Sequence, residues 1–335
     1  MPYVNDGRLT VIVPTYNHAH FIGQALDSVF AQSRLPERVL VLDDGSTDDT
    51  ADVIKPYLGR KPPVEYVRMT TNRGVVAALN TGVSMVESEF VVFLAADDML
   101  APTAVEKSLS VLTQNPQAAL CGMFVQLIDE AGGLLKRPRD FDFGSHARYV
   151  PHEECLARLY RDGGLFGGNG VVYRTRYLQD GGGFSAELMA FCDGFRIQEL
   201  ALRYGVCIVP EPLVTWRQRT TSYAATSRSD PGVSLAILDA VRGQLQAPSS
   251  IFPRNYGLRL EKRLRYSAAA AALAVEQFDL SAVQAAIGAS SLFIPRLLVT
   301  LRRIAGTWAA NAVLLFYLRP FDIVPGLLRR VGRIR

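Results

Sequence analysis

The first third of the chain alternates short apolar runs with longer amphipathic segments. The apolar runs cover 9–13, 38–42, 64–69 and 90–94, and each has the length of a buried strand. Between them, apolar residues recur at three- and four-residue spacing over 20–32, 48–58, 75–86 and 102–114, which predicts helices. Strands that alternate with helices indicate an α/β domain with a mainly parallel sheet.

Each predicted strand ends in a polar cluster, at 14–17, 43–49, 70–74 and 95–98. A parallel sheet brings the carboxyl ends of its strands to one edge, where ligands bind in α/β proteins. The stretch FVVFLAADDML (90–100) is the clearest case, because a buried strand leads directly to Asp97 and Asp98. The alternative is that one of these carboxylates caps the helix predicted from Pro102.

Beyond residue 120 the pattern becomes mixed and then helical. We predict a hairpin around 130–133, a helix over 152–160, a glycine-rich passage over 163–170, a strand over 171–174 and a helix over 191–205. The stretches VCIVP (206–210) and LVTWRQR (213–219) then predict two strands, and 233–246 predicts one helix inside a connector.

The last eighty residues predict two antiparallel helices. The first is rich in alanine, and the second begins at Ser281 with a capping box and is ended or kinked by Pro295. These patterns divide the chain into residues 1–120, 121–225 and a helical extension over 226–335.

Cysteine usage and the N-terminus bear on the compartment. The four cysteines form no CxxC pair, which argues against a disulfide framework or a structural zinc and favours a reducing environment. The first eight residues carry neither a basic nor an apolar leader segment, so we expect a cytoplasmic protein.

Charge is distributed unevenly along the chain. From residue 231 onward there are 14 Lys and Arg against 5 Asp and Glu, which leaves 22 against 27 for residues 1–230. An acidic front half suits a metal and a phosphorylated ligand, whereas a basic tail suits an anionic phospholipid surface. Helix-turn-helix, zinc-finger and RNP signatures are missing from the sequence, so we expect no nucleic-acid partner.

The tail also contains an apolar stretch of fifteen residues, 304–318, between Arg303 and Arg319. A membrane-spanning helix needs about twenty apolar residues, so an interfacial helix on the membrane surface fits better. The stretch 325–335, PGLLRRVGRIR, adds basic and apolar residues. The alternative is a helical pair that packs on the rest of the protein or forms a dimer.

Some common sites are excluded by missing motifs. The first strand is not followed by GxGxxG, and GxxxxGK[ST] is absent, which removes the mechanism of dinucleotide and P-loop sites. The cluster DDGSTDDT (43–50) places Asp43 and Asp44 at a strand end, while Ser46 to Asp49 fit a capping box. The four histidines show no ligand spacing, and we assign them no role.

Four ordered motifs, VIVPTYN, VLDDGSTDDT, NRGVVAALNTG and FVVFLAADD, resemble the nucleotide-binding half of family 2 glycosyltransferases, which are inverting enzymes of the GT-A fold. The resemblance is close over about 120 residues. Further on, GGFSAELMAFCDGFRIQELALRYG and IVPEPLVTWRQR are similar to the acceptor half. The resemblance implies a GT-A type Rossmann-like mixed sheet flanked by helices, with an α-helical C-terminal extension.

The resemblance also implies roles for individual residues. Asp193 falls at the catalytic base, and Asp97 and Asp98 fall on the DxD-type motif that holds Mn²⁺ or Mg²⁺. Arg217 and Arg219 fall where they could clamp the diphosphate. The expected nucleotide-sugar contacts are Pro14, Thr15, Tyr16, Asp43, Asp44, Arg73 and Asp97.

Each implied role has a plainer alternative. Asp193 could be a carboxylate that stabilises a helix N-terminus, and the two arginines could be a surface pair. Three residues also depart from the family pattern, in which Ala95 would be acidic, Cys192 glutamate and Arg219 histidine.

The resemblance predicts a metal-dependent inverting glycosyltransferase. The donor is a nucleotide-diphosphate sugar, with UDP preferred, and the acceptor is a hydroxyl of a glycan or glycolipid, as in cell-surface polysaccharide biosynthesis. A non-catalytic nucleotide-sugar-binding or scaffold protein is the alternative, because of the three departures. A nucleotidyltransferase would need a glycine-rich basic loop after the first strand, where this chain has PTYNHAHF.

Overall fold

The computed structural model describes residues 7–136, 142–275 and 280–322. The chain divides into two compact units. The first unit comprises residues 1–156, 164–186 and 192–219, and the second comprises 157–163, 187–191 and 220–335.

Among the described residues, nine strands form the sheet of the first unit. They are β1 (Leu9–Thr15), β2 (Arg38–Asp43), β3 (Val64–Arg68), β4 (Phe90–Phe93), β5 (Met99–Leu100), β6 (Leu120–Ile128), β7 (Arg148–Val150), β8 (Val172–Arg174) and β9 (Val206–Arg217). Their order is β3-β2-β1-β4-β8-β6-β9-β5, and β7 pairs with β9. The first four strands are parallel, β8 is antiparallel to β4 and β6, and β9 is parallel to β6. The sheet is therefore mixed, as the resemblance predicted.

Helices pack on this sheet through apolar faces. In α1, for example, Ile22, Ala25, Leu26 and Val29 are buried at three- and four-residue spacing. The helices before residue 220 are α1 (Ile22–Phe30), α2 (Thr50–Ile54), α3 (Val75–Met85), α4 (Ala104–Gln114), α5 (His152–Asp162), α6 (Thr175–Asp180) and α7 (Cys192–Tyr204), with 3₁₀ turns at Lys55–Tyr57 and Ala186–Phe191. Strands β1 to β4 and helices α1 to α4 confirm the elements predicted for the first third of the chain.

The two predicted strands over 206–219 are one continuous strand, β9. The pairing of β6 with β9 shifts register twice, between Met123 and Val125, opposite the segment that contains Pro210 and Pro212. These irregularities accommodate two residues that cannot donate to a ladder, which is why the prolines do not end the strand. The predicted halves 1–120 and 121–225 contribute strands to the same sheet, so the boundary between them stays a prediction.

The second unit contains more helices after residue 220 than predicted. They are α8 (Tyr223–Ser229), α9 (Pro231–Gln246), α10 (Arg254–Ala274), α11 (Leu280–Ile287), α12 (Phe293–Ala305) and α13 (Thr307–Leu318). Helix α8 lies in the predicted connector, and the Ser222 side chain caps it by accepting from the Ala225 N–H. The helical core joins small residues of α10 to larger apolar residues of α11, α12 and α13.

The prediction of two C-terminal helices was wrong. Pro295 lies in the first turn of α12, where proline is tolerated because the N–H groups of that turn lack intrahelical partners. Gly306, at φ +83°, separates α12 from α13 and so divides the predicted apolar stretch 304–318. Within the described parts of the chain, no helix combines the length and apolarity needed to cross a membrane. The predicted basic stretch 325–335 lies outside the described residues.

Candidate active site

Hydrogen bonds join the loop after β1 to the loop after β2. Asn17 adopts φ +55°, its N–H donates to Ser46 Oγ at 2.9 Å, and its Oδ1 accepts from the Thr47 N–H at 2.8 Å. Asp48 accepts from the N–H groups of Ala19 and Thr50 at 3.0 and 3.1 Å. Burial alone would raise the pKa of Asp48, but hydrogen bonds from Thr50 and Ala19 outweigh it and lower that pKa.

The capping box predicted over Ser46 to Asp49 is not formed. Helix α2 begins at Thr50, and its N-cap residue Asp49 makes no side-chain cap hydrogen bond. The Ser46 hydroxyl instead accepts from the Asn17 N–H in the loop after β1. The polar residues of the turn therefore fix the loop after β1.

The two aspartates at the end of β2 accept hydrogen bonds from neighbouring segments at the same edge of the sheet. Buried Asp44 accepts from the N–H groups of Arg73 and Gly74 at 2.8 and 2.7 Å, which fixes the loop before α3. Asp43 is fully buried and accepts from the Ser46 N–H at 2.7 Å and the Tyr66 hydroxyl at 2.5 Å. The polar clusters at 14–17, 43–49 and 70–74 thus meet at one edge of the sheet, as predicted.

Thr15 presents an incomplete hydrogen-bonding group at this edge. It lies opposite Asp43 in the β1–β2 register, directly after Pro14, and only 3% of it is exposed. Its hydroxyl finds no hydrogen-bond partner among the described residues, whereas the next side chain, Tyr16, is 41% exposed. A buried hydroxyl without a partner is costly, so a ligand that supplies one would bind favourably here.

The adjacent carboxylates after β4 differ in environment. Asp98 is buried, and it accepts from the Asn169 side chain and from the Arg217 N–H, the latter at 2.9 Å. Burial, and then the negative charge of Asp97, raise the pKa of Asp98 to about 8. Asp97 is more accessible, and its Oδ2 accepts from Arg219 Nη1 at 3.3 Å. Neither carboxylate caps α4, whose N-cap residue is Thr103.

Arg217 and Arg219 are not the surface pair of the alternative interpretation. Arg217 is 4% exposed, and its guanidinium donates to the backbone oxygens of Asp97 and Glu130 at 3.1 and 2.9 Å and to Gln24 Oε1 at 2.7 Å. This side chain therefore ties three segments of the first unit together. Arg219 instead extends along the Asp97 carboxylate, so of the two arginines it is the better placed to meet a diphosphate.

His18, to which the sequence assigned no role, lies in the same electrostatic environment. Burial lowers its pKa, with opposing effects from the charges of Asp97, which raises it, and Arg219, which lowers it. Its Nδ1 accepts from the Tyr16 N–H at 3.3 Å. A lone histidine in a loop gives no spacing signal, which is why sequence reasoning missed it.

Asp193 occupies the first turn of α7, and its Oδ1 accepts from the Gly194 N–H at 2.6 Å. Burial raises the pKa of this carboxyl group above its ordinary value. The neighbouring Cys192 thiol is also buried, and burial together with the charge of Asp193 raises its pKa to about 12. The cysteine is therefore neutral at physiological pH.

The glycine-rich passage connects Asp193 with the acidic pair. A Cβ atom on Gly168 would overlap the Asp193 carboxylate, so only glycine allows this approach. The next residue, Asn169, donates to Asp98. Two consecutive residues thus contact the predicted base and one predicted metal ligand. The sequence showed the glycines, but their pairing with two distant carboxylates depends on the fold.

The acidic pair suits a divalent cation that shares its ligands with a substrate. Two adjacent carboxylates offer the oxygen donors that Mg²⁺ and Mn²⁺ favour. Burial raises the pKa of Asp98 most, the negative charge of Asp97 adds to it, and a bound cation would offset that repulsion. Among the described residues there is no cluster of three His, Cys, Asp or Glu side chains able to hold a metal. A cation on two carboxylates keeps positions that water and phosphate oxygens can fill.

The family model described as glycosyl transferase family 2 matches residues 10–182. The chain belongs to this family. Its residues also align with an uncharacterized glycosyltransferase of Haemophilus influenzae, at 31% identity over 112 residues. That alignment covers 33% of this chain and 45% of the Haemophilus protein, so the chain matches less than half the length of this relative.

Two solved structures share the fold. Residues 1–349 of TarS from S. aureus, in complex with UDP-GlcNAc, give a TM-score of 0.61 at 17% identity, covering 92% of this chain and 91% of that one. The mannosyltransferase PcManGT from Pyrobaculum calidifontis, in complex with GDP-Man and Mn²⁺, gives 0.56 at 23% identity, covering 94% and 87%. The GT-A fold predicted from the motifs is confirmed.

Proposed function

We propose that this protein transfers a sugar from a nucleotide-diphosphate donor to a hydroxyl of a glycan or glycolipid acceptor, with inversion at the transferred carbon. The observation that carries the proposal is the contact of Gly168 with Asp193 and of Asn169 with Asp98. The proposal is supported because the candidate base and one residue of the candidate diphosphate site each contact the same short segment. Family membership supports the reaction class.

In the proposed reaction, Asp193 accepts the proton of the acceptor hydroxyl as its oxygen attacks the anomeric carbon of the donor. The new bond joins that oxygen to the sugar, and the bond that breaks joins the sugar to the diphosphate, which departs with the nucleotide. Burial raises the pKa of Asp193, which makes its carboxylate a stronger base than an exposed aspartate.

The first loops supply the donor side of the site. The unpartnered Thr15 hydroxyl and the exposed Tyr16 ring are proposed to contact the nucleotide, with Pro14, Asp43, Asp44 and Arg73 shaping the same edge. A carboxylate at this edge can accept a hydrogen bond from the ring N–H of uracil, as it can from that of thymine, and UDP is our first choice of the two. TarS was solved with UDP-GlcNAc and PcManGT with GDP-Man, so the base is the feature to test first.

Charge on the departing diphosphate needs neutralising. Asp97 and Asp98 are the residues that would hold Mn²⁺ or Mg²⁺, and a bound cation supplies Lewis-acid stabilisation of the leaving group. Arg219, beside Asp97, is proposed to contact phosphate oxygens directly. We therefore keep Arg219 as the diphosphate contact and assign Arg217 to positioning.

The test is product analysis with a panel of nucleotide sugars and glycan acceptors, with the anomeric configuration of any product read by NMR. The proposal expects an inverted product from the wild type and at least about a hundredfold less from Asp193→Asn, with donor affinity retained. Donor binding without transfer by the wild type, across the panel, would favour the scaffold alternative. We propose a cytoplasmic location, because the four cysteines are buried thiols, which suits a reducing compartment, and cell fractionation would test it.

A further inference from the structure

Helices α12 and α13 expose large apolar side chains to solvent. Among the described residues of this pair, Phe293, Ile304, Trp308 and Phe316 are 73%, 80%, 74% and 65% exposed. Helices of soluble proteins normally turn such residues inward and expose charged ones. Several large apolar groups on two consecutive helices therefore mark an interaction surface.

Other residues of α12 and α13 contribute to the core of the second unit. On α12, Pro295, Leu298 and Val299 face inward, while Ala310, Leu314 and Leu318 do so on α13. The exposed residues lie on the opposite faces of the two helices, so they are not displaced core residues. Helix α13 carries apolar residues on both its buried and its exposed sides.

The charged residues of α12 are all arginines, and α13 carries no charged residue. On α12, the exposed residues Arg296 and Arg303 alternate with Phe293, Leu297 and Ile304. The sequence from 280 to 321 contains no aspartate or glutamate. Arginines among apolar side chains suit a membrane of anionic phospholipid, which presents phosphate groups at its surface and acyl chains beneath them. The guanidinium group can reach the phosphates while the methylene groups of the arginine stay in apolar contact.

The length of α13 indicates whether this helix could cross a membrane or would lie along its surface. Helix α13 has twelve residues and would be about 18 Å long, against about 30 Å for the hydrocarbon core of a bilayer. It would therefore lie along a membrane and not cross it. Trp308 and Tyr317, 74% and 46% exposed, are side chains that favour the boundary between headgroups and acyl chains.

We infer that the outward faces of α12 and α13, here called the arginine–aromatic surface, dock on anionic phospholipid. The surface consists of Phe293, Arg296, Leu297, Arg303, Ile304, Trp308, Phe316 and Tyr317. It lies in the second unit, so the inference does not depend on the transfer reaction. Its consequence is that the protein acts at a membrane surface.

The experiment is co-flotation of the full chain with vesicles of phosphatidylcholine alone or mixed with phosphatidylglycerol. We expect binding to the mixed vesicles, weakened at least about tenfold in Trp308→Ser/Phe316→Ser. Each of Arg296→Gln and Arg303→Gln should weaken it about fivefold, since a basic residue near an anionic surface contributes about 1 kcal/mol. Leu35→Ser and Leu258→Ser, about half exposed elsewhere, and Arg228→Gln are matched controls that should bind as the wild type does.

Equal binding to both vesicle types, or equal binding by Trp308→Ser/Phe316→Ser and the wild type, would overturn the inference. Sedimentation without lipid tests whether a second copy of the chain covers the surface instead. A wild-type dimer that Trp308→Ser/Phe316→Ser converts to a monomer would assign the surface to that second copy. Nucleotide-induced thermal shifts measured on the same variants separate this result from a failure of the proposed transferase site.

Discussion

Two regions of the first unit use their polar side chains differently. In the loops after β1 and β2, Asn17, Ser46 and Asp48 accept or donate ordinary hydrogen bonds, and the pKa of Asp48 is lowered. Around the glycine-rich passage, Asp98 and Asp193 are carboxyl groups whose pKa values are raised by burial. The first region stabilises the conformation of its loops, whereas the second buries carboxyl groups whose ionisation the fold disfavours, which is typical of reactive sites.

The largest expected effect is the loss of transfer in Asp193→Asn. Removing a general base lowers the rate by about a hundredfold to ten-thousandfold, measured as kcat/KM for transfer. The same substitution should raise the unfolding temperature at neutral pH, since the folded state disfavours the charged carboxylate. A variant that transfers sugar at the wild-type rate would remove Asp193 from the mechanism.

The raised pKa of Asp193 also sets a pH dependence. Because the base acts when deprotonated, kcat/KM should fall as the pH drops through the folded pKa, which lies above the ordinary value of 3.8. The stability cost of the charge exists only where the carboxyl group is ionised. The gap in unfolding temperature between Asp193→Asn and the wild type should therefore shrink as the pH falls towards 3.8. A gap that is constant over this range would contradict the assignment.

The two arginines after Trp216 offer a second contrast. Arg217→Ala should cost about 3 kcal/mol of unfolding free energy in urea, since it removes a buried charged side chain whose hydrogen bonds hold Asp97, Glu130 and Gln24 together. Arg219→Ala should cost less stability than Arg217→Ala, since Arg219 is less buried and its bond to Asp97 is long at 3.3 Å, and it should weaken nucleotide-diphosphate affinity by about tenfold. The reverse order of stability effects would show that the structural and binding roles have been exchanged.

A matched glycine pair tests the approach to Asp193. Gly168→Ala should lower transfer by up to about a hundredfold, because its methyl group displaces the carboxylate. A Cβ atom on Gly167 meets nothing within 4 Å, so Gly167→Ala should transfer at nearly the wild-type rate. Similar rates for both variants would mean that the close approach is not needed for catalysis.

The smallest effect is expected in the region of ordinary hydrogen bonds. Asp48→Ala should lower the unfolding free energy by about 1 kcal/mol through loss of its bonds to Ala19 and Thr50. Transfer by the folded variant should stay within a fewfold of the wild type. A large loss of sugar transfer in Asp48→Ala, with little loss of stability, would show that Asp48 takes part in the reaction.

Much of the structure of residues 1–120 could be predicted from sequence, because the strands there are continuous apolar runs and the polar clusters follow them directly. The helical unit was harder: Gly306 divides an apolar stretch that periodicity joins, and α8 depends on the local Ser222 cap. The contacts of Gly168 and Asn169 could not be predicted, since they join residues far apart in sequence. The burial of Arg217 was missed for the same reason.

The most direct test of the central claim is a set of unfolding temperatures with UDP, TDP, GDP and ADP, each with Mn²⁺, Mg²⁺ or EDTA. A ligand at about a hundred times its dissociation constant adds about 2.7 kcal/mol to stability, which is readily measured. We predict a metal-dependent increase with one nucleotide, kept in Asp193→Asn and lost in Asp97→Ala. No increase with any combination, or one that Asp97→Ala leaves unchanged, would contradict the account.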